Sequence, residues 1–90
     1  MTTHDPDRWC PRPAPAVVLR HDRARGNHVL LMPERVVVLT GSAPHVMELC
    51  DGTRTVARIT DELRERFPGA PVDAEVAPFV ERMRKKGWIR

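Results

Sequence analysis

The sequence predicts an α+β fold, a three-stranded antiparallel sheet followed by three helices, and three observations predict it. Two β-branched runs flank a glycine-containing turn. A third apolar run follows the interruption at Pro33-Glu34. After Gly41 the spacing of apolar residues changes from strand-like to helical. The chain has 90 residues, room for one domain, and a domain of this size buries only about 60% of the surface its unfolded chain exposes. Its stability is expected to be marginal.

Residues 1–15 hold Pro6, Pro11, Pro13 and Pro15 with little apolar periodicity. Proline donates no backbone hydrogen bond, so this stretch is expected to be a flexible tail, with the domain over 16–90. The run Ala16 to His21, the turn-like stretch Asp22 to Asn27 with Gly26, and the run His28 to Met32 read as a hairpin. Arg35-Val36-Val37-Val38-Leu39 is short and β-branched, and reads as a third strand that completes a meander.

Ser42 or Thr40 is placed to cap a first helix carrying Ala43, Val46, Met47, Leu49 and Cys50, which Asp51-Gly52 stops. Thr55 caps a second, in which Val56, Ile59, Leu63 and Phe67 recur at helical spacing and Pro68-Gly69 ends the pattern. Asp73 opens a third, with Val76, Phe79, Val80 and Met83 on one stripe and Gly87 just past its end. Pro78 lies inside that helix, so a kink or a late start is expected there.

Fifteen basic residues against twelve acidic ones give a formal charge of +3, with both signs interleaved along most of the chain. Only Arg82, Arg84, Lys85, Lys86 and Arg90 form a one-sided cluster. Cations at a helix C-terminus are what the dipole favours, although a charged partner could be steered by the same group. No apolar stretch is long enough for a membrane span and none near Met1 resembles a secretory signal, so a cytoplasmic location and no membrane contact are expected.

The signatures of metalloproteases, hydrolases and nucleotide-binding loops are missing from the sequence. The carboxylate pairs Asp61-Glu62 and Asp73 with Glu75 are explained by helix starts and solvated faces. His21 and His28 are expected to approach each other across the hairpin, but two ligands are too few for zinc. Cys10 and Cys50 form no C-x-x-C pair and read as reduced thiols. No metal, no cofactor and no enzymatic activity are expected.

The third strand carries the most information. Val36, Val37, Val38 and Leu39 are apolar on both faces, whereas a strand buried on one face alternates. In a meander this strand is an edge, and an apolar edge invites a further chain to pair with it. A peptide could add there as a fourth strand; equally, a helix could cover the strand's edge and outer face.

Leu30-Leu31-Met32-Pro33-Glu34 resembles the "LL-x-P-E" of the PqqD family. Leu39-Thr40-Gly41-Ser42-Ala43 stands where that family shows "L-N-x-T-A". The stretch Leu49-Cys50-Asp51-Gly52-Thr53-Arg54-Thr55-Val56 is similar to "L-C-D-G-x-R-T-V", and Glu75 to Val80 to "D-V-x-x-F-L". The chain departs from these patterns where Thr40, followed by Gly41, replaces the usual Asn and by placing Pro78 in the last motif. The resemblance runs from about Arg12 to Ile89. It implies a winged-helix-like domain that binds the ribosomally made precursor peptide PqqA and delivers it to the radical SAM enzyme PqqE. It also implies a peptide site on the third strand, Arg35, Val36, Val37, Val38 and Leu39, and on the third helix, Val76, Phe79, Val80 and Met83. Arg84, Lys85 and Lys86 are expected to help dock a partner. A monomer or weak homodimer is expected.

The competing reading is a winged-helix nucleic-acid-binding module, favoured by a pI near 9.5. Groove-reading helices spread their cations over several elements, whereas these cluster late in one helix, so no nucleic-acid partner is expected.

Overall fold

The computed structural model describes residues 8–90. Its first half is a meander of β1 (Val18–Asp22), β2 (Asn27–Met32) and β3 (Arg35–Leu39), in the order β1-β2-β3 with both pairings antiparallel. Leu19 faces Leu30 and Leu30 faces Val37, so these three share the face turned to the core. Val18, Leu31 and Val36 form a row on the opposite face, and Arg20, Val29 and Val38 the next. His21 and His28 pair as expected, their rings stacked at 4.6 Å, and His28 Nε2 lies 3.4 Å from Glu48 Oε1.

Three helices follow: α1 (Ala43–Leu49), α2 (Val56–Arg66) and α3 (Val72–Lys85). Ser42 is the residue before α1, but its hydroxyl does not cap the helix. Thr55 does cap α2, its side chain accepting from the Arg58 N–H at 3.1 Å. The third helix begins one residue before the expected Asp73 and runs unbroken through Pro78, so its start is not delayed. It ends with Gly87 at φ 80°; the Gly87 N–H bonds the Arg84 carbonyl and the Trp88 N–H the Met83 carbonyl. That reciprocal pair satisfies two end carbonyls and turns the chain back toward the core.

Leu30 from the sheet, Val46 and Met47 from α1, Ile59 and Leu63 from α2, and Val76 and Val80 from α3 are almost wholly buried together. The helices lie on one face of the sheet. The other face carries Val18, Val36 and Val38 exposed to solvent.

The expected flexible tail requires correction over Pro11 to Ala14, while residues 1–7 lie outside the described part. Arg12 and Arg90 exchange two backbone hydrogen bonds of 2.9 and 2.8 Å, and Pro13 bridges Ile89. The Ala14 N–H bonds the Trp88 carbonyl, the Gly52 N–H bonds the Pro11 carbonyl, and Pro11 is buried. Prolines exclude this segment from a helix or a central strand, but its remaining backbone groups still pair at the margin of a fold.

Candidate functional site

The meander leaves β3 with one neighbour, β2, so its other edge directs alternate backbone N–H and C=O groups outward. Beside that edge lies an open groove of about 510 Å³. Val38, Leu39 and Thr40 form one wall, Ala74, Glu75, Pro78, Phe79 and Arg82 of α3 the other, and Ser42 and Ala43 close the end. Ser42 Oγ donates to Glu75 Oε1 at 3.4 Å, joining the start of α1 to the start of α3 at that end.

The pleat divides the expected strand residues. Leu39 is buried and Val37 partly buried toward the core, whereas Val36 and Val38 are 63% and 50% exposed on the outer face. Arg35 is exposed at the strand's start. The helical residues divide differently. Val76, Val80 and Met83 are core side chains, 1%, 1% and 6% exposed, so they hold α3 in place and offer a ligand no surface. Phe79 alone of the four lines the groove, half-buried, with the Arg82 guanidinium carbon 5.8 Å from its ring centre.

Sequence reasoning missed Glu75, Pro78 and Arg82. With Phe79 they recur at i, i+3, i+4 and i+7, one face of α3 adjacent to the buried stripe. The spacing was present in the sequence, but the apolar stripe drew the assignment, and that stripe is the one the core requires. Pro78 has no N–H to offer the Ala74 carbonyl four residues back, and both residues line the groove. An apolar pocket of about 240 Å³ adjoins at the closed end, sharing Ser42 and Glu75 and floored by Val46, Leu63 and Val76.

The groove has a charge polarity, Glu75 at its closed end and Arg82 farther along α3. The late basic cluster is less free than its composition implies. Arg84 Nε donates to Glu81 at 3.1 Å, and the Lys86 ammonium stands 5.1 Å from the Trp88 ring centre. Lys85 is exposed. Among the described residues no group of three or more His, Cys, Asp or Glu side chains could hold a metal ion. Burial, helped by the Asp51 charge, pushes the Cys50 thiol up to about 12, so it stays protonated and unreactive.

A meander followed by three helices, with an open edge strand flanking an amphipathic groove, places the chain in the class of winged-helix-like recognition domains. The family model for coenzyme PQQ synthesis protein D (PqqD) matches residues 27–89, and the chain belongs to the PqqD family. It is 41% identical over 76 residues to the PqqA binding protein of Pseudomonas entomophila, covering 83% of this chain and 84% of that one. To the PqqA binding protein of Pseudomonas aeruginosa it is 45% identical over 67 residues, 73% of each chain. Its fold matches the solution NMR structure of the PqqD truncation of Methylobacterium extorquens PqqCD with a TM-score of 0.72 and 32% identity, over 94% of this chain and 97% of that one. That domain is described as a functional, stand-alone recognition element for ribosomally synthesised and post-translationally modified peptides.

Proposed function

We propose that this protein is a non-enzymatic peptide chaperone of pyrroloquinoline quinone biosynthesis, which binds the precursor peptide PqqA and presents it to the radical SAM enzyme PqqE. One observation carries the reading: the unpaired edge of β3 runs beside a groove whose far wall is Phe79, Pro78 and Arg82. An extended peptide can pair its backbone with the strand and set alternate side chains against the helix, so main-chain bonds supply affinity and the wall supplies selection. Relatives named PqqA binding proteins support the choice of peptide. The proposed contact set keeps Arg35 to Leu39, of which Val36 and Val38 flank the added strand on the outer face, and Phe79. Glu75, Pro78 and Arg82 join it, and Val76, Val80 and Met83 act from the core by positioning α3. Arg84, Lys85 and Lys86 contribute charge that steers a partner rather than a packed contact. A cytoplasmic location accords with this role.

The nucleic-acid alternative is weaker, because Arg84 is paired with Glu81 and Lys86 packs on Trp88. Titration of the isotopically labelled protein with synthetic PqqA tests the proposal. The largest amide shifts are expected on Val36 to Leu39 and Ala74 to Arg82. A spectrum that stays still at saturating peptide, or that moves only elsewhere, overturns it.

A further inference from the structure

The groove uses one edge of β3 and the inner side of the sheet. It leaves unexplained why the outer face is apolar as well. Val18 of β1, Leu31 of β2, and Val36 and Val38 of β3 fall in two adjacent cross-strand rows on that face, with Val29 buried between its neighbours, and no helix among the described residues covers them. Val18, Val36 and Val38 are the exposed large hydrophobic residues among those described. A continuous apolar patch across three strands is costly to leave in water and marks an interaction surface.

Its hairpin end is mainly basic, three arginines against one acid. Arg20 stands in the row of Val29 and Val38, and Arg23 and Arg25 sit on the hairpin turn at the edge of the shallow depression that these residues share. Asp22, the acid in that depression, is engaged by the turn: its Oδ1 accepts from the Ala24 and Arg25 N–H groups at 3.1 and 3.3 Å. Arg25 is paired with Asp22 Oδ2 at 3.9 Å, whereas neither Arg20 nor Arg23 has an ion pair among the described residues. A second copy seated face to face with its hairpin end on this one would bring arginine against arginine, so the basic end disfavours that pairing and suits a partner surface that is apolar and edged with carboxylates.

We infer that the outer sheet face is the docking surface for the enzyme that receives the peptide, which would meet it with an apolar patch of its own edged by Asp and Glu. The inference rests on the peptide-binding reading for the partner's identity. Geometry supports it independently: β3 belongs to both surfaces, its edge open to the groove and its Val36 and Val38 side chains to the patch. An enzyme seated on the patch therefore lies against the strand that carries the peptide. Two partners can bind at once because one uses the edge and the other the face.

The variants that separate the two surfaces lie on β1, at the opposite sheet edge from the groove. Val18→Ser and the double change Arg20→Glu with Arg23→Glu alter exposed side chains. Purified PqqE and synthetic PqqA are titrated separately against each variant and the wild type, with circular dichroism confirming the fold. The expected result is a loss of enzyme affinity of about tenfold or more in both variants. Wild-type enzyme affinity also falls with added salt, and peptide affinity stays within twofold. Enzyme affinity unchanged in both variants overturns the inference while leaving peptide binding intact. Loss of peptide affinity instead of enzyme affinity overturns it too, since the peptide would then be what covers the patch. If the wild type binds enzyme but no peptide, the peptide reading fails, and sensitivity of the enzyme to the β1 variants still upholds the docking face.

Discussion

At the scale of single residues, depth separates positions that hold the fold from positions that meet a ligand. Leu30 is fully buried between the sheet and the helices, so Leu30→Ala removes packing that nothing can refill. It is expected to cost about 2–5 kcal/mol, a large part of the roughly 5–15 kcal/mol available to a small domain. Urea unfolding checks it. Phe79 is half-buried on the groove wall. Phe79→Ala is expected to weaken PqqA binding by about 1–2 kcal/mol, roughly five- to thirtyfold, with a smaller change in melting temperature; calorimetric titration beside a thermal melt separates the two. The cysteines divide by the same criterion. Cys50 is buried with its thiol pushed up to about 12, whereas Cys10 is only partly buried. A thiol reagent near neutral pH is expected to modify Cys10 alone in the native protein and both residues in denaturant, as mass spectrometry would show.

At the scale of elements, the segment from Pro11 to Ala14 acts as a strap rather than a tail. Four backbone hydrogen bonds join it to Gly52, Trp88 and Arg90, and its own Pro11 is buried. At about 0.5–1.5 kcal/mol net per bond, deleting residues 1–14 is expected to cost roughly 2–6 kcal/mol. In a domain of this size that lowers the melting temperature by about 10 °C or more. A truncated protein that melts with the full chain would show the strap to be idle. The helices are joined by ion pairs on their outer side. Arg64 bonds both Asp61 and Asp73, linking α2 to α3, and Arg54 with Arg58 holds Glu62. Hydrogen bonding from Arg64 lowers the Asp73 carboxyl below its ordinary 3.8, and bonding from Arg54 lowers Glu62 below its ordinary 4.5. Folded values below the unfolded ones mean stability that is fully present above about pH 4.5 and is lost as pH falls through the lowered values. These groups are solvated, so the effect is small and screened by salt. Acid melts at low and high ionic strength are expected to converge as salt is added.

At the scale of the whole molecule, a three-stranded sheet packed by helices on one face only leaves an open edge and an open face. These are two distinct surfaces on a chain of 90 residues. The edge offers backbone groups and suits an extended peptide, whose side chains the α3 wall selects. The face offers valines beside a basic hairpin end and suits a folded surface of opposite charge. Because apposed hairpin ends would repel, light scattering is expected to show no dimer joined through them at low salt, and high salt is expected to favour self-association by screening the arginines.

Local sequence determined the elements. The β-branched runs around Gly26, the cap at Thr55 and the apolar spacing of Val56, Ile59 and Leu63 act over a few residues, and each element formed close to where they place it. The apolar character of Val36 to Leu39 likewise marked β3 as exceptional. Which apolar residues are core and which are surface depends on what packs opposite them, and only the tertiary structure decided that. The pleat sent Val37 and Leu39 inward and Val36 and Val38 outward. The rotation of α3 buried Val76, Val80 and Met83 and turned Glu75, Pro78, Phe79 and Arg82 to the groove. The proline-rich start found its partners in Gly52 and Arg90, tens of residues away along the chain. Periodicity gives a helix its faces, but contacts between distant segments choose which face meets the core and which is left for a partner.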